Sequence, residues 1–105
     1  MAGGERRQVA LRPRTVADFH AEVLSALAEL GIPVAINDYP CEIPGAIRFS
    51  LDQDHAAYDA GYANRFWRAL VQTEQVFQAF RTGFVGKCSP VHFFWGSFDL
   101  AVTRF

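Results

Sequence analysis

Apolar residues recur every three or four positions in two stretches of the chain. Val16, Phe19, Val23, Leu27 and Leu30 form the first stripe, with Glu22, Ser25 and Glu29 opposite. This spacing predicts an amphipathic helix over 16–30. Thr15 suits the N-cap, where its hydroxyl accepts a free backbone N–H, and Asp18 three places on resembles a capping box. Gly31 accepts the positive φ that ends a helix, Ile32 covers the last turn, and Pro33 forbids continuation. In the second stretch Phe66, Leu70, Thr73, Phe77, Phe80 and Phe84 form a stripe that Trp67, Val71 and Val76 widen. It predicts a helix over 60–84, begun by Asp59, with an apolar arc wide enough to lie across a sheet. Arg65, Arg68, Gln72, Gln75 and Thr82 run along its far side.

Gln8–Arg12 reads as a short strand stopped by Pro13, and Val34–Ile36 as another. Residues 37–58 keep no period, and Pro40 and Pro44 push their predecessors toward extended geometry. The expectation is a long ordered loop with a brief strand near Ile47–Phe49. Val91 to Phe105 alternates strictly and predicts one long strand with two faces. His92, Phe94, Gly96, Phe98, Leu100, Val102 and Arg104 share one face. Phe93, Trp95, Ser97, Asp99, Ala101, Thr103 and Phe105 share the other. The order β-α-β-loop-α-β implies an α+β fold, with two helices packed on a small mixed, mostly antiparallel sheet. The chain reads as a single domain over 1–105 with a flexible N-terminus at 1–7.

Composition narrows the function. At 105 residues, 50% hydrophobic and 20% charged, the chain does not have the make-up of a disordered polymer. A net charge of −1 argues against a globally basic nucleic-acid binder. Charge is nevertheless segregated: residues 15–59 carry eight acidic groups against Arg48 alone, whereas 60–105 carry five basic groups against Glu74 and Asp99. Eleven of the fifteen aromatic residues follow position 60, so much of the packing energy is expected there. No apolar run approaches the roughly 20 residues of a membrane span. No hydrophobic stretch follows Arg6 and Arg7, and only Cys41 and Cys88 are present, so a reducing cytoplasm is the expected compartment. A single bridge between those two cysteines stays open.

Three groups of residues invite chemistry. Cys88 and His92 suggest a nucleophile and base, with Asp99 as a third member. Four residues of extended chain separate the first two by about 13 Å, so only a reversal at Ser89–Pro90 would join them. No second Cys–His pair and no His-x-x-x-His is present, so neither metal nor cofactor is expected. Asp99 lies among apolar neighbours and needs a cation if covered, with Arg65, Arg68 and Arg104 as candidates. Trp95, Ser97 and Asp99 share a face beside Gly96, whose missing side chain leaves a gap for a flat ligand. His20 and His55 have no evident partner.

The runs Tyr62–Gln72 and Phe84–Phe105, above all Gly86-Lys87-Cys88-Ser89-Pro90-Val91-His92-Phe93-Phe94-Trp95-Gly96-Ser97-Phe98-Asp99-Leu100, resemble the bacterial domain of unknown function family 5996. Leu11–Phe19 is similar to the segment before that family's first such helix. The resemblance covers about 8–105. Members of that family are longer, so it implies an internal portion of a longer bacterial protein, truncated at both ends. It carries no activity. The leading expectation is therefore a non-catalytic domain with a small-molecule pocket formed by Trp95, Ser97 and Asp99, with Arg65 and Arg68 nearby. The alternatives are an enzyme using Cys88, His92 and Asp99, or a module that self-associates through open sheet edges. Neither nucleic acid nor membrane is an expected partner.

Overall fold

Thr15 opens the first helix as its side chain dictates. In the computed structural model, which describes residues 4–105, its backbone is extended (φ −65°, ψ 151°) and its Oγ accepts the Asp18 N–H at 3.1 Å. Helix α1 spans Val16–Glu29. At its other end Gly31 takes φ 76°, which lets Ile32 N–H reach the Leu27 carbonyl at 2.9 Å and Gly31 N–H reach Ala28 at 3.0 Å. That pair of bonds is a Schellman closure.

The chain divides into two compact units, Met1–Asp59 and Ala60–Phe105. In the first, α1 packs on a short 3-10 turn at Phe49–Leu51. The strands expected at Gln8–Arg12 and Val34–Ile36 are absent, and Ile47–Phe49 leads into the 3-10 turn. Short segments with no neighbouring strand leave their ladder groups unpaired, and propensity alone does not hold them. The flexible stretch expected at 1–7 lies partly outside the described residues, at 1–3. Within the described part, Arg7 is tied to Glu29 at 2.8 Å.

The second unit holds helix α2, Ala60–Thr82, and strands β1, His92–Phe94, and β2, Asp99–Ala101. Two helices and a small antiparallel sheet make this an α+β fold. The long strand expected over Val91–Phe105 is instead a hairpin. His92 pairs with Ala101, Phe93 with Leu100 and Phe94 with Asp99, and Phe98 N–H closes the turn on the Phe94 carbonyl at 2.8 Å. Period-two alternation runs unbroken through the four turn residues, so it does not reveal the reversal. The register pairs odd positions with even ones. Phe93 and Leu100 therefore lie on one side, and Phe94 and Asp99 on the other, which corrects the expected division into faces.

Below the strands the two arms stay together. Cys88 bridges to Arg104, and Ser89 N–H donates to the Thr103 carbonyl at 2.8 Å. Four residues separate Cys88 from His92, but only three separate Ala101 from Arg104, so the first arm carries one extra residue around Pro90. Proline has no N–H to give a ladder, which makes it a natural place for a bulge. The arms also close the end of α2. Arg104 donates to the Phe80 carbonyl at 2.6 Å, and Arg81 Nε donates to the Ser89 carbonyl at 2.8 Å. A cation at the last carbonyls complements both their lone pairs and the helix dipole.

Among the described residues only Ala17 and Asp52 are buried, and no large side chain is fully enclosed. No helix among them is long and apolar enough to cross a membrane. Local bonds therefore carry an unusual share of the order. Replacing Thr15 with Ala is expected to cost about 1 kcal/mol, the usual value of a lost N-cap. A lowered urea midpoint, restored by Thr15→Ser, checks this.

Candidate functional site

Of the expected ligand residues, Trp95, Ser97 and Asp99 lie at the tip of the hairpin, and Arg65 and Arg68 lie on α2. Trp95, Gly96, Ser97 and Phe98 form the turn, and Asp99 opens β2. Phe98 adopts φ 61°, the left-handed region that bulky residues avoid at a cost of roughly 1–2 kcal/mol. Its ring contacts offset that cost. It lies 5.4 Å from Phe66 and nearly parallel to it (12°), 5.1 Å from Phe93 edge-on, and 6.3 Å from Trp95. Such pairs contribute about 0.5–1.5 kcal/mol each, so the ring cluster outweighs the strain. Trp95 in turn meets Phe93 at 5.4 Å and 90°.

The cluster leaves Trp95 81% exposed, with a ring face open to solvent. Ser97 Oγ donates to Asp99 Oδ1 at 2.5 Å. The other carboxylate oxygen has no partner among the described residues. Arg65 and Arg68 do not reach Asp99: Arg65 stacks over the Tyr62 ring at 4.4 Å and bonds the Gly61 carbonyl. Arg104, the third candidate, lies 3.7 Å from the Phe80 ring centre. Asp99 is exposed rather than covered, so its charge needs no buried cation.

Cys88, His92 and Asp99 are not brought together. The Cys88 thiol points to the Arg81 carbonyl at 3.8 Å. His92 Nδ1 lies 2.8 Å from the Pro90 carbonyl, and its ring sits edge-on to Phe94 at 4.7 Å. Asp99 is held by Ser97. Each of the three has its own partner, and none is hydrogen-bonded to another. Cys41 and Cys88 are both free thiols, so the bridge left open by the sequence is not formed. No group of three or more His, Cys, Asp or Glu among the described residues is arranged to hold a metal.

The first unit contains a pair the sequence reading missed. His55 Nδ1 lies 2.8 Å from Asp52 Oδ2, and Asp52 Oδ1 accepts the backbone N–H of His55 at 3.0 Å and of Asp54 at 3.1 Å. The signal was the Asp-x-x-His spacing in a loop, where an aspartate commonly turns back on the backbone just after it. The same loop caps α1: Val16 N–H donates to the His55 carbonyl and Ala17 N–H to the Asp52 carbonyl. Asp52 and His55 also line a cleft of about 440 Å³ with Ile43, Pro44 and Phe49. His20 is half-buried, 6.2 Å from the Phe49 ring, and its Nε2 has no hydrogen-bond partner among the described residues.

Two carboxylates organise the loop. The backbone N–H of His55 holds the Asp52 carboxyl below its ordinary value against burial, which pushes it up; the His55 ring and Asp54 N–H add to the lowering. Asp38 bonds the Ser50 hydroxyl and, at 2.8 Å, the Arg48 guanidinium. The Ser50 hydroxyl, with help from Arg48, lowers its pKa to about 2.

The family model described as "Family of unknown function (DUF5996)" matches residues 1–105. No match is found among the curated proteins or among the solved structures.

Because both carboxyls are lowered on folding, their contribution to stability is complete above the unfolded value of 3.8 and fades as pH falls through the folded values. Acid is therefore expected to loosen the start of α1. Amide NMR signals of Val16 and Ala17, followed from about pH 7 to about pH 2, should move in that window. In Asp52→Asn, the part of the movement due to Asp52 should vanish.

Proposed function

We propose that this chain, which belongs to the family of unknown function DUF5996, is a non-catalytic binding module whose hairpin tip takes a small flat ligand bearing a cationic donor group. One observation carries the reading: an exposed tryptophan and a carboxylate with one oxygen unpaired belong to the same hairpin tip, Trp95 in the turn and Asp99 just after it. Aromatic faces attract planar cations, and a carboxylate beside such a face adds direction. Strain held at Phe98 by its ring neighbours supports a pre-ordered contact surface rather than a loose loop. Catalysis by Cys88, His92 and Asp99 has less support, because their hydrogen bonds run to three separate groups. Pairing through sheet edges is favoured less still, since each strand offers only three residues.

Benzamidine, a flat aromatic cation, tests the reading, with benzoate as the same ring of opposite charge. The indole N–H signal of Trp95 is expected to shift saturably with benzamidine, at a dissociation constant on the order of 1 mM. Asp99→Asn should weaken that response several-fold, and benzoate should not produce it. Equal shifts with both compounds, or none with either, would remove the proposal.

A further inference from the structure

The loop over residues 37–58 holds a fixed imidazole that plays no part at the hairpin tip. The Asp52 side chain is only 8% exposed, and three hydrogen bonds surround its carboxylate. Oδ1 accepts the backbone N–H of Asp54 and of His55, and Oδ2 meets Nδ1 of the His55 ring. Through their carbonyls the same two residues accept the first N–H groups of α1. His55 is thus held at its N–H, at its carbonyl and at Nδ1.

These bonds choose the tautomer. The Asp52 carboxyl lies below its ordinary value, so near neutral pH it is ionised and only accepts. A neutral imidazole has one N–H and one lone pair, and Nδ1 must supply the N–H that meets Oδ2. The lone pair then stands on Nε2, which has no partner among the described residues. A carboxylate behind Nδ1 also raises the basicity of the opposite nitrogen.

The His55 side chain is 74% exposed, and His55 lines a cleft of about 440 Å³. That volume falls in the range of small-molecule sites, roughly 300–1,000 Å³. Ile43, Pro44, Ile47 and Phe49 supply apolar walls. Pro44 and Gly45 form a turn: the proline ring fixes one φ, and Gly45 takes φ 66°, which glycine adopts without strain. A wall so constrained loses little freedom when it is covered. The one charged group in the lining is Asp52, and both of its oxygens are already bonded, so the cleft suits a neutral guest.

We infer that this cleft binds a neutral, largely apolar molecule bearing one hydroxyl donor, in its simplest form a phenol, whose O–H is accepted by His55 Nε2 while its ring lies against Ile43, Ile47 and Phe49. The cleft lies wholly within the first unit and the hairpin tip within the second, so each reading stands or falls alone.

Nitrogen NMR of the full chain at about pH 8, where a free imidazole is neutral, reads the tautomer first. The proton is expected on Nδ1, and a proton on Nε2 overturns the inference. Phenol is then titrated against anisole, the same ring with its hydroxyl hydrogen replaced by methyl. The methyl signals of Ile43 and Ile47 should shift saturably with phenol, at a dissociation constant on the order of 1 mM, and anisole should bind at least about fivefold less tightly. His55→Phe keeps a ring at an exposed position and removes the acceptor, so phenol should fall to the level of anisole. In the unaltered chain the Nε2 signal should move with phenol and not with anisole, a readout that needs no variant. Equal affinity for the two compounds, an Nε2 signal indifferent to phenol, or phenol binding unchanged by His55→Phe would overturn the inference. So would the absence of any saturable shift, which is also the result if another segment of the chain fills the cleft.

Discussion

The hairpin in the second unit depends on Phe98 being held where its backbone would not go by itself. A left-handed phenylalanine reverses the chain within four residues and returns an N–H to Phe94. Without the rings of Phe66, Phe93 and Trp95 around it, the alternation of the segment would favour continued extension. Once the turn closes, the register follows, and with it the side on which each later residue lies. The side of the hairpin on which Asp99 lies is thus a result of aromatic packing, several residues away from the carboxylate itself.

The first unit is organised differently. Asp52 is buried there beside Ala17, and Asp38 gathers Arg48 and Ser50 through three bonds to its carboxylate and Phe49 through one to its backbone carbonyl. Both carboxylates accept backbone N–H groups that a loop without strands would otherwise leave to water. The acidic bias of residues 15–59 therefore includes groups that shape the chain as well as groups that face solvent. Arg14 makes the same point with opposite charge, since its nearly covered side chain is paired with both Asp18 and Glu22 along α1.

Helix α1 was legible in the sequence because each of its signals is local. Thr15, Gly31 and Ile32 act within a turn of where they stand, while Asp18 gives its N–H to the cap but turns its carboxylate to Arg14 and leaves the capping box unclosed. The α+β class was legible for the same reason. The hairpin was not, because Gly96-Ser97 sits in phase with the alternation on both sides and so looks like part of a strand. Trp95, Ser97 and Asp99 were expected along one strand face, and the structure places them around a turn instead. The link between Asp52 and His55 escaped notice because single histidines in loops carry no periodic signal. Only the fold shows that the loop holding them also caps α1.

The extra residue near Pro90 separates two registers. Toward the chain ends, Cys88 and Arg104 answer to the close of α2. Toward the tip, His92 to Ala101 answer to the ring cluster. A mismatch between them works like a slip joint: a lengthening or shortening of the base is taken up at the bulge and does not travel into the turn. The tip can therefore keep its geometry when the segment that attaches it to the helix changes in length.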